Sequence, residues 1–215
     1  MPENSRPQPA SVRRRAGRPR AFDREAALQR ALHLFWELGY APASVGELCA
    51  AMGIKAPSLY AAFGSKAALF LEAVEHYEKT YWAPVEARFM AGEDVYRDVE
   101  DFFSEAATIL LSPHTPCGCL VVLAAVNIAP HEQAVRHAIS ERRQAMKAKF
   151  AGRLRRAISE GQIAPDTDVP ALAGALNTLL EGLSLQARDG LFLSELKAIA
   201  AHAVRLLPPR RAAEG

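Results

Sequence analysis

The sequence predicts an all-α fold: an N-terminal three-helix unit of helix-turn-helix pattern, followed by a larger helical domain. Three observations carry the prediction. Beyond residue 20, apolar residues recur three and four apart, the spacing of one face of a helix. Neither strand-like alternation of any length nor an internal repeat is present. From Ser44 to Gly64, a capping box, a helix-ending glycine and a second short helical segment follow in close succession.

Each element has its own signal. Asp23 can cap a first helix whose Ala27, Leu28, Ala31, Leu32, Phe35 and Leu38 form one face and which ends at Gly39. Pro42 and Ala43 make a turn into Ser44-Val-Gly-Glu47, where the serine hydroxyl can take the N3 amide while Glu47 reaches back. The second helix starts near Val45 and closes at Gly53, a residue that tolerates positive φ and permits a sharp turn. A third, short helix then runs to Gly64, with Pro57 in its first turn, where a missing N–H costs nothing. Ser65 caps a fourth helix from Lys66 to about Trp82. Beyond Pro84 the expected segments are a helix over about Val99 to Leu111, a kinked apolar helical stretch from Cys117 to Ala129, and a long basic amphipathic helix from about His131 to Glu160. Gly161 and Pro165 break the pattern. Two final apolar helices, about Val169 to Asp189 and Leu193 to Leu207, end at Pro208 and Pro209, and they suit a helix-pair dimer interface.

Composition narrows the function classes. The 215 residues are 50% hydrophobic and 23% charged, within the globular range. The longest apolar run, Cys119 to Val126, is far below the roughly 18 residues of a membrane span, and no apolar leader follows Met1, so a soluble cytoplasmic protein is expected. Three cysteines, Cys49, Cys117 and Cys119, fit a reduced compartment better than a disulfide framework. Metalloprotease, nucleophile-elbow, phosphate-loop and dinucleotide fingerprints are all absent, and His131-Glu132 is a lone dipeptide. Catalysis, a cofactor and a metal centre are therefore not expected.

The net charge of +2 hides a concentration: Arg6, Arg13, Arg14, Arg15, Arg18 and Arg20 stand against Glu3 alone in the first twenty residues. With four prolines and Gly17 among them and no apolar period, this arm is expected to be disordered alone; it is either a solubilising tail or a segment that orders on nucleic acid. The helices beyond it favour the second reading. On the third helix Leu59 and Phe63 face the core, leaving Lys55, Ala56, Ser58, Tyr60, Ala61 and Ala62 outward, a small and polar face broken by one phenol. In a helix-turn-helix such a helix lies in the major groove and its first residues reach base edges. The fourth helix, with Lys66 beside its free amides, offers a phosphate site. A bland role for Tyr60, half-buried in the packing of a small domain, is the weaker alternative.

Gly17-Arg-Pro-Arg20, "ALHLFWELGY", "SVGELCAAMGIKAPSLYAAFGSKAALF" and "DVPALAGALNTLLEGLSLQARDG" together resemble the TetR/AcrR family of bacterial transcriptional regulators. The likeness is specific over residues 18–72 and rests on helix order and apolar pattern beyond. It implies a homodimer with an N-terminal DNA reader and a C-terminal domain that binds a small-molecule effector and dimerises through its last two helices. Carried over residue by residue, it implies DNA contacts from Tyr60, Lys66, Ser44 and the turn Lys55, Ala56, Pro57 and Ser58, with Arg18 and Arg20 from the arm. Two departures stand out: Lys55 replaces the common serine cap and Ala62 the common second aromatic. Methyl contacts to thymine, Ser58 and the arginine arm would then share readout of double-stranded operator DNA. The implied division is a disordered basic arm (1–20), a helix-turn-helix DNA-binding domain (21–66), an effector-binding and dimerisation domain (67–209) and a disordered tail (210–215).

The implied mode is repression of a palindromic operator, relieved by a ligand that alters the spacing of two readers. Candidates for lining the effector pocket are Tyr77, Tyr81, Trp82, Phe89, Phe103, His114, Asn127, His131 and Asn177, each of which could equally be an ordinary core or satisfied polar residue. In "HTPCGCLVV" Cys117 and Cys119 are either small buried hydrophobes or a sensor of electrophile, oxidant or soft metal with His114, their thiol pKa lowered by a helix N-terminus. The rival from another class is an enzyme, whose fingerprints are absent; a better rival is a DNA-organising protein that lacks an effector cavity.

Overall fold

In the computed structural model, residues 22–210 are described; the basic arm, with Arg18 and Arg20, lies outside them. Three helices form the N-terminal unit. Asp23 Oδ1 accepts the Ala26 amide at 3.0 Å and starts α1 (Arg24–Leu38). Ser44 and Glu47 close the predicted capping box on α2 (Val45–Met52), and Gly53 ends it at φ 68°. Lys55 precedes α3 (Ala56–Phe63) without a side-chain cap, and Pro57 lies in its first turn. Leu28, Leu32, Phe35, Leu48, Leu59 and Phe63 point into one shared core.

Ser65 caps α4 (Lys66–Tyr77), whose Leu69, Phe70, Ala73, Val74 and Tyr77 are buried. The helix does not stop near Trp82 as its pattern suggested. A π-helical turn, Glu78–Trp82, carries it into α5 (Ala83–Ala91). Pro84 falls in the first turn of α5, where the ring fits because the wider turn before it requires no amide from that residue. Trp82 Nε1 donates to Tyr77 Oη at 2.7 Å across the turn.

The remaining helices are α6 (Val95–Leu110), α7 (Leu120–Leu123), α8 (Gln133–Ser159), α9 (Val169–Arg188) and α10 (Leu193–Ala200), and a 3₁₀ turn, Ala203–Leu206, follows. Among the described residues no strand is present. Three expectations are corrected. Asp94, accepting the Tyr96 and Arg97 amides, starts α6 four residues before Val99. The kinked helix expected over Cys117–Ala129 shrinks to the single turn of α7, because Gly118 (φ 83°) before it and successive turns after it interrupt the ladder. The last helix ends at Ala200 and tightens into the 3₁₀ turn rather than running on to Leu207. Arg210, counted with the tail, pairs with Asp94 at 2.9 Å and lies over the Tyr96 ring.

The core of the larger domain is aromatic. Phe102 meets Phe150 edge-on at 5.3 Å and lies tilted against Phe89 at 5.1 Å, and Phe103 stacks on Phe150 at 6.0 Å. Such pairs add about 0.5–1.5 kcal/mol each beyond the apolar area they bury. Beside them Arg153, fully buried, donates to Asp98 at 2.6 Å and so joins α8 to α6.

Candidate nucleic-acid interface and regulatory cavity

Gly53 sets the angle between α2 and α3, so that Leu59 and Phe63 are buried while Tyr60 projects with half its surface exposed (49%). Lys55, Pro57, Ala61 and Ser44 are exposed, and Ala56 and Ser58 are half-buried at the head of the helix. Ala62 departs from expectation: it is half-buried and packs against the core, because it lies on the flank nearest Arg24, which donates to its carbonyl. Arg24 is itself held by Glu72 and lies over the Phe63 ring. Lys66 is half-buried; its Nζ donates to the Ala41 carbonyl at 3.3 Å and stands 4.6 Å from the Tyr40 ring centre, and burial lowers its pKa. Ser44, Tyr60 and Lys66 thus stand around α3, the first at the head of α2 and the last at the head of α4.

Behind this unit lies a cavity of about 80 Å³ bounded by the π turn, α5, the end of α6, α7, α8 and α9. Trp82, Leu110, Val121, Val122, Met146 and Leu180 supply its apolar wall. Two of its ion pairs are Arg142 with Glu78 at 3.0 Å and Lys149 with Glu86, while Glu181 accepts from the neutral Asn177 amide at 3.0 Å. Burial pushes the Glu78 carboxyl up even beside Arg142.

Of the residues proposed from sequence, Trp82, Cys119 and Asn177 line this cavity. Tyr77, Phe89 and Phe103 are core residues, and Tyr81 packs edge-on against Trp36. His114, Cys117 and His131 are exposed, and Asn127 lines a separate open groove. Cys117 is exposed and Cys119 buried. Burial raises the Cys119 thiol pKa, although the Val121 and Val122 amides oppose it, so the expected lowering by a helix N-terminus is reversed. Among the described residues no cluster of three or more His, Cys, Asp and Glu could hold a metal ion. Also among them, no helix is long and apolar enough to cross a membrane.

The sequence reading missed the connection between cavity and reader. Trp36 Nε1, in α1, donates to the Gly118 carbonyl at 2.9 Å, and the Tyr40 amide donates to the Ala124 carbonyl at 2.7 Å. Arg188, in the last turn of α9, donates to the carbonyls of Trp36 (2.9 Å), Glu37 (3.3 Å) and Cys117 (2.9 Å). The first two are unsatisfied carbonyls of a helix end, where a guanidinium is favoured both as donor and as charge. The "LFWELGY" segment carried the signal, in a tryptophan close to the helix end with an indole N–H that burial obliges to find an acceptor.

A reading helix presented on a three-helix unit and fastened to a cavity-bearing helical domain defines a helix-turn-helix regulator. Comparison with known proteins specifies it further. The description "Bacterial regulatory proteins, tetR family" matches residues 27–73, and "Tetracyclin repressor-like, C-terminal domain" matches residues 96–204. The chain is 34% identical over 198 residues to the HTH-type transcriptional repressor ComR of Escherichia coli (strain K12), covering 92% of this chain and 94% of ComR. It is 31% identical over 188 residues to the repressor BdcR of the same organism, with 87% and 90% covered. Among solved structures, a cysteine-substituted variant of the TetR family regulator CifR, bound to 26 bp double-strand operator DNA, is 43% identical with a TM-score of 0.85, covering 89% of this chain and all of that one. The chain belongs to the TetR family of transcriptional regulators.

Proposed function

We propose that the protein is a ligand-responsive repressor that binds a palindromic operator as a dimer and is released by a small-molecule effector. One observation carries the reading: α7 and its flanks form a wall of the cavity through Cys119, Val121 and Val122 and also hold α1 through the Gly118 and Ala124 carbonyls. A ligand that moves α7 therefore acts on the reader. The cavity favours this over a DNA-organising protein without an effector. Residues 21–66 are assigned to the reader and 67–209 to the effector and dimerisation unit.

On DNA, Tyr60, Ser44 and Lys66 meet phosphate, and Lys55, Ala56, Pro57 and Ser58 approach base edges, with Arg18 and Arg20 in the flanking minor groove. Affinity then rests on phosphate neutralisation and falls with salt. The test is binding to the DNA upstream of the protein's own gene across a salt series. Tyr60→Ala is expected to weaken binding about ten- to hundredfold, the worth of a hydrogen bond to a charged group. Deletion of residues 1–20 is expected to shallow the salt slope by about 0.9 for each phosphate that the arm neutralises. Binding no tighter than to random DNA, or insensitive to salt, would refute the reading.

The dimer is assigned to the exposed side of α9 and α10, where Leu185 (50%), Leu193 (39%) and Phe192 (75%) at the head of α10 are apolar groups left in water. Gly182, where an added Cβ would meet nothing within 4 Å beyond its own helix, lets a partner helix approach closely. Phe192→Glu should shift the protein toward monomer in sedimentation equilibrium and lower operator affinity with it; an unchanged dimer would move the interface elsewhere.

A further inference from the structure

Arg143 differs from the other cations of the cavity. Arg142 and Lys149 each face a carboxylate, whereas Arg143 has no carboxylate partner among the described residues. Its Nε donates to the Val121 carbonyl at 3.2 Å and its Nη2 to the Ala125 carbonyl at 3.4 Å, leaving guanidinium N–H groups to spare. It also lines both the cavity and an open groove outside α8. That groove carries Asn127, Gln133, Arg136, His137 and Ser140 and no carboxylate. Arg136 is likewise unpaired among the described residues, and His137 stands 3.1 Å from Glu141. Glu78 and Glu86 are paired with cations and Glu181 accepts from the neutral Asn177 amide, so no carboxylate stands in the groove to compete for Arg143. An anion finds free donors.

We propose that Arg143 anchors a small organic carboxylate, with the charged group in the groove against Arg143 and Arg136 and a short apolar body in the cavity beside Trp82, Val122 and Met146. The inference rests on the effector reading above. The cavity, about 80 Å³, has room for a body of a few heavy atoms. Carboxylate and guanidinium match in planar, two-bond geometry, which makes arginine a selective anchor. Binding has a built-in consequence. The carbonyls that Arg143 holds bracket Ala124, whose own carbonyl takes the Tyr40 amide. A carboxylate competing for the guanidinium slackens the hold on α7 and, through Tyr40, on the reader.

The test is fluorescence anisotropy of the full chain on the fragment upstream of its own gene, at constant ionic strength set with chloride, so that salt alone does not mimic induction. Hexanoate, hexanamide, hexylamine and inorganic phosphate are the probes. Thermal melting of the DNA-free protein is the second readout. Hexanoate is expected to release DNA and raise the melting temperature, at concentrations about tenfold or more below those the other three require. Arg143→Gln should remove that preference, and Arg143→Lys, which keeps the charge, should retain a weakened form of it. Hexanamide acting as well as hexanoate would overturn the anionic anchor, and so would an undiminished hexanoate response in Arg143→Gln. Phosphate acting as well as hexanoate would overturn the apolar half. DNA binding that none of the four perturbs overturns the inference while leaving the regulator standing. Failure to bind DNA without any probe is a failure of the repressor reading instead.

Discussion

Replacing Asp98 by alanine is expected to lower the unfolding free energy by about 3–5 kcal/mol, which for a chain of this size is a fall in Tm of roughly 6–20 °C. The reason lies less in the attraction than in the state of Arg153 once it is gone. Arg153 has no exposed surface, and Asp98 accepts from both its Nε (2.8 Å) and its Nη2 (2.6 Å). Its Nη1 has no hydrogen-bond partner, and the other carboxylate near it, Glu160, is 3.9 Å away. Burial pushes the Asp98 carboxyl up from its ordinary value even with the guanidinium beside it. Removing one partner therefore strands a buried charge, whereas removing both does not. The double variant Asp98→Leu, Arg153→Met should melt close to wild type. A single variant losing less than about 1 kcal/mol in urea unfolding would show that Arg153 finds water or Glu160 at little cost.

The second large effect is expected from Gly118→Ala. Gly118 has φ 83°, and a Cβ there would come within 2.8 Å of the Ser184 carbonyl oxygen and 2.4 Å of Leu123 Cδ1. The Leu123 methyl can turn away, but the Ser184 backbone cannot do so cheaply. Left-handed backbone costs about 1–2 kcal/mol and overpacking about 1–3 kcal/mol, for a total of about 2–5 kcal/mol. Gly161→Ala is the matched control, with a similar φ of 73° and nothing within 4 Å, and should lose only the first part. Since the Gly118 carbonyl receives the Trp36 indole, Gly118→Ala should also weaken operator binding at temperatures where the protein remains folded. Equal losses in the two variants, with DNA affinity unchanged, would show that the close approach to Ser184 is dispensable.

Much of the fold was legible because its boundaries are local chemistry. Asp23, Ser44 with Glu47, Gly53 and Ser65 each act within four residues of themselves, and each stands in the structure at the helix end its type implied. Pro84 was misleading for a related reason: a proline inside a helical pattern reads as a stop, and only the unusual hydrogen bonding of the turn before it lets the rod continue. The cavity was less legible. Its polar walls are pairs such as Glu78 with Arg142 and Glu86 with Lys149, separated by more than sixty residues in the chain. On α8 these cations repeat with the period of a solvated face, so nothing local separates Arg142 and Arg143 from surface charge. Aromatic residues drew attention instead, and Tyr77 and Phe103 went to the core because burying them is worth more than leaving them on a cavity wall.

The π turn at Glu78–Trp82 also bears on how this chain could change length. An insertion into an α-helix ordinarily rotates everything beyond it by about 100°, since each turn takes 3.6 residues, and would face α5 the wrong way. Looping one surplus residue into a single wide turn leaves the flanking helices in phase. Deleting one residue from that turn would leave Leu69 and Val85 still facing their cores, but would set Pro84 inside a regular α-turn that its ring and missing N–H oppose, so Pro84 would have to be replaced with it. The rod spanning the reader and the cavity thus carries its surplus residue at the cavity wall, where Glu78 and Trp82 stand, without re-registering either domain.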